Sequence, residues 1–375
     1  MHAVSVGEIN VARSLINVLF ETAPDIDIVL STTTPKGFDL AQKIDHPGVQ
    51  CVYSPIDFIV SVRLAFHAIR PDILVLLETE IWPNWIYISK ALSVPVIIVN
   101  GRISQKSVNG FLKFSPLVRF ILQKIDAFSM ISKDNAIRIC QMGASPQNVS
   151  ISGNAKFDLL KQTYIPWLPA QLRSLLNIRS KNFVFMAGST RTGEEAMVID
   201  AYKVLCKEFP DALCLIAPRH IERCPGIETQ LKQAHLKYNR YSWCKARESR
   251  NAPVVLVDTI GDLAGLYSIA NVVFCGASLV SQGGQNVLEP AIWGKPVLYG
   301  PYMDDFLWAK DVLEAASGGI MVSNAQDLKN QVLLLAKHQA QASIVGQQAR
   351  KAVLELAGAA QKHVDIIIKE IKMMK

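Results

Sequence analysis

No stretch of the 375 residues approaches the ~18 consecutive apolar residues that a membrane-spanning helix needs, and no basic, apolar, small-residue signal opens the chain. The sequence therefore reads as a protein that is soluble or lies on a membrane surface. It also lacks C-x-x-C: its seven cysteines (Cys51, Cys140, Cys206, Cys214, Cys224, Cys244, Cys275) are scattered, odd in number and without a histidine at ligand spacing. That pattern excludes a disulfide framework and a zinc site, and it fits a reducing cytosol. Internal repeats, low-complexity segments and heptad arrays are missing too, which excludes solenoids and coiled coils. Charged residues make up only 19% of the chain against 50% apolar ones, so disorder is excluded and a sizeable core is expected.

Single cores stop growing at about 250–300 residues, so a chain of this length divides most naturally into two domains with a cleft between them. Lys and Arg number 39 against 32 Asp and Glu, a net charge of +7, which favours an acidic partner such as phosphate, anionic lipid or nucleic acid without choosing among them. Position says more. Residues 101–125 hold Arg102, Lys106, Lys113, Arg119 and Lys124, contain no Asp or Glu, and carry Phe111, Phe114 and Phe120. They form either a helix with a solvated basic face or a surface for anionic headgroups.

Short β-branched runs alternate with amphipathic stretches from end to end, the pattern of an α/β fold with parallel sheets. Buried strands are predicted at 28–31, 73–77, 94–99 and 127–131, then at 183–187, 212–217, 254–257, 272–275, 296–299 and 319–322. Tyr164 to Leu168, with Pro166, Trp167 and the following Pro169, suits a stiff linker, so the expected division is 1–160, 161–358 and a last helical stretch, 359–375, that packs back on the first domain.

Ligands of open α/β sheets bind beyond the carboxyl ends of the strands, which selects a short list of residues. Ser5-Val6-Gly7-Glu8 ends an apolar run just before a helix predicted at 9–20. Glu8, at this strand-to-helix turn, either complements the helix dipole or serves as a general base. Glu78-Thr79-Glu80 follows a fully apolar strand, its acids being either helix caps or groups that orient a substrate. Gly188 to Glu195 reads as a small-residue turn with a Thr192/Glu195 capping box, able to cradle an anion. Pro218-Arg219 ends the next strand with a guanidinium. Gly283-Gly284 is expected to open a helix whose first N–H groups suit a phosphate, with Glu289 placed to accept two hydrogen bonds from vicinal hydroxyls and Pro290 making that helix short, kinked or held by a ligand. Asp25-Ile26-Asp27 precedes its strand, at the wrong end of the sheet for a metal site, and reads as a solvated turn. His46, His67, His235, His338 and His363 read as surface or packing residues.

Taken together, SVGE at 5–8, ETEIWPN at 78–84, GRISQKS at 101–107, GNAKFD at 153–158, GSTRTGEE at 188–195, APRH at 217–220, DTIGDL at 258–263 and GGQNVLEPAIWGKPVLYGP at 283–301 resemble one family across nearly the whole chain. It is the 3-deoxy-D-manno-octulosonic acid (Kdo) transferases of lipopolysaccharide synthesis, glycosyltransferase family 30. The resemblance implies a GT-B fold, two Rossmann-like domains facing across a central cleft, and inverting transfer of Kdo from CMP-Kdo to the lipid A precursor, lipid IVA. It implies that Glu8 is the base, that Glu78, with Glu80 near it, sits beside the charge developing on the sugar, and that Lys156 steadies the departing CMP or the Kdo carboxylate. Pro218 and Arg219, Ile260, Gly261 and Asp262, and Asn286, Val287, Leu288 and Glu289 would hold the nucleotide.

The expected site binds no metal and no cofactor, CMP-Kdo being the donor substrate, because a helix N-terminus with Lys156 or Arg219 can meet the charge of one departing phosphate. The expected partners are CMP-Kdo, the lipid A precursor and the cytoplasmic face of the bacterial inner membrane, with no nucleic acid. The enzyme would lie there as a peripheral protein; as a departure from the family pattern, Met1 stands almost on the SVGE motif, where family members usually carry an anchoring segment and a complete first strand. Gln285, Val287 and Tyr302 stand where the family usually has histidine, proline and histidine, departures that adjust the pocket. Two other readings remain open: a GT-B enzyme using a UDP-sugar, and a catalytically silent lipid A-binding protein.

Overall fold

The computed structural model describes residues 1–111, 115–247 and 249–373. Lys113 and Phe114 of the basic stretch lie outside the described residues. The chain forms two compact units, Met1–Leu159 with Leu356–Lys375, and Leu160–Glu355. Tyr164, in the stretch expected to be a linker, packs within the second unit against Trp293 (ring centroids 5.1 Å apart) and beneath the Arg350 guanidinium at 4.3 Å.

In the first unit β1 (Ile28–Thr32) pairs with β2 (Val49–Tyr53), and β3 (Leu74–Leu77), β4 (Val96–Gly101), β5 (Ala127–Met130) and β6 (Val149–Ile151) form a second parallel group in that order. The first residues of the chain join the two groups. His2 donates its N–H to Val75 and accepts from Leu77, and Ala3 donates to Ser31, so the spatial order is β2, β1, the amino terminus, β3, β4, β5, β6. Successive residues of β3 explain why that strand is apolar throughout: Leu74 and Leu76 enter the core on one face, Val75 and Leu77 the core on the other. The second core is closed by the first helix, Val6–Thr22, through Ile9, Leu15 and Ile16, and by the C-terminal helix, Ala359–Met373, through Val364 and Ile367.

The second unit is one parallel sheet of β7 (Val184–Thr190), β8 (Leu213–Pro218), β9 (Tyr238–Arg240), β10 (Val254–Leu256), β11 (Val272–Cys275), β12 (Val297–Tyr299) and β13 (Gly319–Met321), in the order β13-β12-β11-β7-β8-β10-β9.

Each unit thus has one point where the chain reverses its direction of strand addition, the crevice where open α/β sheets bind ligands. It lies between the amino terminus and β3 in the first unit, and between β7 and β11 in the second. Three residues other than glycine have left-handed backbone at these strand ends: Glu78 (φ 56°) follows β3, Ser189 (φ 55°) is the penultimate residue of β7 and Ala277 (φ 59°) follows β11. Such conformations cost about 1–3 kcal/mol each and persist where the surroundings impose them.

Candidate active site

Glu8 is not at a strand-to-helix turn as expected. The amino-terminal ladder ends at Ala3, Ser5 is already the N-cap, and the helix starts at Val6, so Glu8 lies in its first turn. Glu8 is only 7% exposed, its carboxylate accepting the Val4 N–H at 2.7 Å and the Ser5 hydroxyl at 2.9 Å. Burial, and secondarily the charge of Glu78, raise its pKa above the ordinary glutamate value, against the two hydrogen bonds and the charge of Lys156. The carboxylate therefore caps the helix and is at the same time a desolvated acid at the first unit's switch point.

Glu78 donates its N–H to Val99 at 2.9 Å, prolonging the β3–β4 ladder by one residue before its left-handed φ turns the chain. Its carboxylate receives the Lys156 amine at 2.6 Å. Lys156 comes from the turn Ala155–Phe157 after β6, and a Cβ built on Gly7 would stand 3.9 Å from its Nζ. The ammonium thus lies over the first turn of the helix that carries Glu8. Glu80 accepts the Trp82 indole N–H at 3.0 Å, and its pKa is raised by burial and by the charges of Glu8 and Glu78. Four ionisable groups from positions 8, 78, 80 and 156 are brought together at one end of the sheet.

In the second unit Pro218 closes β8 and is buried, while Arg219 is exposed and donates its N–H to Thr190 at 3.1 Å. Glu289 stands in the first turn of a four-residue helix, Leu288–Ala291, and accepts the Asn286 side-chain amide at 3.3 Å. Burial raises the pKa of Glu289, the Asn286 hydrogen bond and the positive charge of Arg219 opposing it. Pro290 fits because first-turn N–H groups have no helical acceptor in any case, and the helix is short. Val287 and Leu288 are fully buried, so neither presents its side chain to a ligand. Ile260 is 84% exposed, Gly261 is left-handed (φ 94°), and Asp262 binds the Thr259 hydroxyl at 2.6 Å and Lys245 at 3.3 Å. Asn286, Glu289 and Arg219 form one group; Asp262 is engaged by its own loop and Lys245.

Two expectations need correction here. Gly283 and Gly284 do not open the helix, which begins four residues after Gly284. Both have φ 79°, and a Cβ on Gly283 would fall 2.3 Å from the Asp305 carboxylate, one on Gly284 2.5 Å from the Met303 sulfur, so close approach of the 303–305 segment is what requires them. The donors expected to be free are also in use: Gly284 donates to Ala277 at 2.8 Å, and Leu288 to the Asn286 side chain at 3.2 Å. The Thr192/Glu195 capping box does not form either. The helix Glu194–Glu208 has left-handed Gly193 as its N-cap, and Glu195, fully buried, takes a bidentate pair from Arg223 at 2.7 and 2.9 Å. The anion at this turn is Glu194, whose buried carboxylate accepts the backbone N–H groups of Arg191, Ala277, Ser278 and Leu279 at 2.7–3.0 Å.

Sequence reasoning also missed an exposed apolar surface. Ile56, Phe58 and Leu64, in the loop after β2 and the helix Ile59–Ile69, are 82%, 62% and 66% exposed. In the basic stretch Phe120 is 54% exposed with the Lys124 amine over its ring at 4.4 Å, whereas Phe111 packs against the core. Among the described residues no helix is long and apolar enough to cross a membrane, and no group of three or more His, Cys, Asp or Glu could hold a metal ion. Asp25 and Asp27 lie in the turn before β1.

Two doubly wound parallel units in one chain, with acids and bases gathered beyond the strand ends, define the GT-B fold class. The UDP-GlcNAc 2-epimerase of Neisseria meningitidis, solved bound to UDP-GlcNAc, superposes over 100% of both chains with a TM-score of 0.63 at 14% identity, a likeness of fold. The family described as 3-deoxy-D-manno-octulosonic-acid transferase (kdotransferase) matches residues 1–159. A 3-deoxy-D-manno-octulosonic acid transferase of Bordetella pertussis is 30% identical over 381 aligned positions, 98% of this chain and 86% of that one. A bifunctional glycosyltransferase/methyltransferase of Fusobacterium nucleatum is 35% identical over 331, and the chain spans 51% of its length. The chain belongs to the 3-deoxy-D-manno-octulosonic acid transferase family.

Proposed function

We propose that the chain is an inverting glycosyltransferase that moves Kdo from CMP-Kdo to the lipid A precursor, lipid IVA, without a divalent metal. The observation that carries this reading is the position of Glu8, a buried carboxylate of raised pKa at a sheet switch point, in a chain of this family. Glu8 takes the proton of the attacking lipid hydroxyl, the hydroxyl oxygen bonds to the anomeric carbon on the face opposite CMP, and the bond from that carbon to the phosphate oxygen breaks with its electron pair leaving on CMP. Glu78 faces the charge that develops on the sugar ring. In this reading the charge of the departing phosphate is met by a side-chain cation, Lys156 or Arg219, in place of a metal ion. The test is CMP release from CMP-Kdo in the presence of lipid IVA. Release from a UDP-sugar instead would favour the second enzyme reading, and no release with retained lipid binding would favour the silent one.

Glu289 supports the donor side, because a carboxylate can accept hydrogen bonds from both ribose hydroxyls. Hydrogen bonds to a charged group are worth about 1.5–3 kcal/mol, so Glu289→Gln is expected to weaken CMP binding by about 10- to 100-fold in a calorimetric titration. An unchanged dissociation constant would remove Glu289 from the site.

The acceptor's lipid anchor places the enzyme at a membrane, the cytoplasmic face of the inner membrane in this reading. Ile56, Phe58 and Leu64, exposed beside Arg63 and Arg70, fit insertion into an anionic interface. Burying each large apolar side chain is worth about 1.5–3 kcal/mol, so Ile56→Ser and Phe58→Ser should each lower partitioning onto phosphatidylglycerol-containing vesicles by about tenfold or more. Binding that these changes leave intact, but that Lys106→Ala weakens, would return the contact to the basic stretch.

A further inference from the structure

We propose that His363, on the C-terminal helix, is a positioning residue for Lys156: its imidazole clamps the corner at Ser152 and Gly153 and thereby sets where the Lys156 amine stands against Glu78. This rests on the reading of Lys156 and Glu78 as part of the reacting site. The segment 152–157 follows β6, a three-residue strand at the sheet's edge, and an edge strand by itself holds the following turn weakly. What holds it comes from outside. The His363 Nε2 lies 3.1 Å from the Gly153 carbonyl, which can only accept, so Nε2 carries the proton. Nδ1 is then an acceptor, and it lies 2.7 Å from the Ser129 hydroxyl and, more distantly, 3.4 Å from the Asn100 N–H.

Ser129 therefore donates to His363, and the Ser152 hydroxyl, 2.6 Å from that of Ser129, donates to Ser129. Four groups form a directed ring: Ser152 to Ser129, Ser129 to His363, His363 to Gly153, and the peptide bond from Gly153 back to Ser152. Every direction is fixed once the carbonyl is the terminal acceptor. The ring is buried, since Ser129 and His363 have no exposed surface and Ser152 has 4%. Burial pushes the imidazole down to about 4, so it is neutral at neutral pH, as the two roles of its nitrogens require.

Around this ring the same helix is locked to the same turn. Asp158 accepts the Gly358 N–H at 2.5 Å and the Ala360 N–H at 2.9 Å, capping the helix start. Gly153 is left-handed (φ 95°), and a Cβ there would come within 3.2 Å of the Ala359 methyl, which shows how closely the helix approaches. On the other side the Asn100 side chain accepts the Ala155 N–H at 2.9 Å. Lys156 is the next residue, and its chain leaves this clamped turn to reach Glu78. The last helix thus does more than cover a core face.

The test separates clamp from core. His363→Leu keeps the volume and removes the hydrogen bonds of both ring nitrogens, while His363→Gln keeps one donor and one acceptor. The readout is the 13C signal of Lys156 in reductively 13C-methylated protein, assigned by its loss in Lys156→Arg. His363→Leu is expected to move that signal toward its position in Glu78→Gln, His363→Gln to leave it near the parent, and Val364→Ala, a core change on the same helix, to lower the unfolding temperature without moving it. Misplacement of the amine should lower kcat for CMP release by about 10- to 100-fold, with KM for CMP-Kdo changed by less than about threefold. If His363→Leu does not fold, Ser129→Ala removes the donor to Nδ1 and should shift the signal in the same direction. A Lys156 signal indifferent to the His363 and Ser129 changes, or moved equally by Val364→Ala, overturns the proposal. The signal decides it independently of turnover, so a parent chain that transfers no Kdo would sink the functional reading and leave the positioning claim to the spectrum.

Discussion

Glu8→Gln is expected to lower kcat for CMP release by about 10²- to 10⁴-fold, the range a positioned general base contributes. Glutamine cannot take the acceptor's proton, yet its carbonyl oxygen can still accept from Val4 or Ser5, so the helix start is kept. Glu8→Ala would lose both the base and the cap, the latter costing about 1 kcal/mol, and comparison of the two variants separates chemistry from folding. The raised pKa of Glu8 sets the sign of two pH effects. Activity should fall with decreasing pH as the base is protonated, with a midpoint above the ordinary value of about 4.3. Glu78→Gln, which removes a charge that raises that pKa, should move the acid limb to lower pH. Stability runs the other way. An acid whose pKa rises on folding adds stability that is present below its unfolded pKa and lost as pH rises through the folded one, so Glu8→Gln at pH 7 should leave the unfolding temperature unchanged or raise it.

Glu194→Ala is expected to cost the second unit about 4 kcal/mol or more. The change leaves the buried N–H groups of Arg191, Ala277, Ser278 and Leu279 without their acceptor, at about 1–3 kcal/mol each before any water enters the space. Urea unfolding followed by a probe in the second unit measures it. Glu194→Gln should fall between, because one amide oxygen remains for Ser278 and Leu279 while the amide nitrogen faces donors. A loss below about 1 kcal/mol would mean that these N–H groups find water readily, and the carboxylate would then be incidental to the loop after β11.

The parts of this architecture that could be read beforehand are those where burial on both faces leaves a mark in the sequence. The predicted interior strands, such as 73–77 and 272–275, are there within a residue or two, because each alternate side chain enters an apolar core. The strands that escaped, VQCVY, VSI and YNR, are β2, β6 and β9, each at a sheet edge where one side is open and no continuous apolar run is needed. At the candidate site, the place of Glu78 directly after β3 was legible, whereas Glu8 was expected at a turn and lies inside the first turn of its helix. Lys156 carried no local signal: its pairing with Glu78 spans 78 residues and depends on a turn held by the last helix. The glycine pair was misread because positive φ and close packing select glycine as strongly as an anion does. Glu194 was passed over in favour of Glu195 because the T-x-x-E spacing put the N-cap at Thr192, whereas it falls one residue later, at Gly193. The apolar surface around Phe58 resembles any buried run until the fold shows it facing outward.

One measurement tests the central claim most directly: mass spectrometry of lipid IVA after incubation with the purified chain and CMP-Kdo, with free CMP quantified in the same mixture. The account predicts an acceptor heavier by whole Kdo residues, one CMP released for each, and neither product with Glu8→Gln. An unmodified acceptor beside a folded, CMP-binding protein would contradict it, as would sugar incorporated from a UDP donor in place of CMP-Kdo.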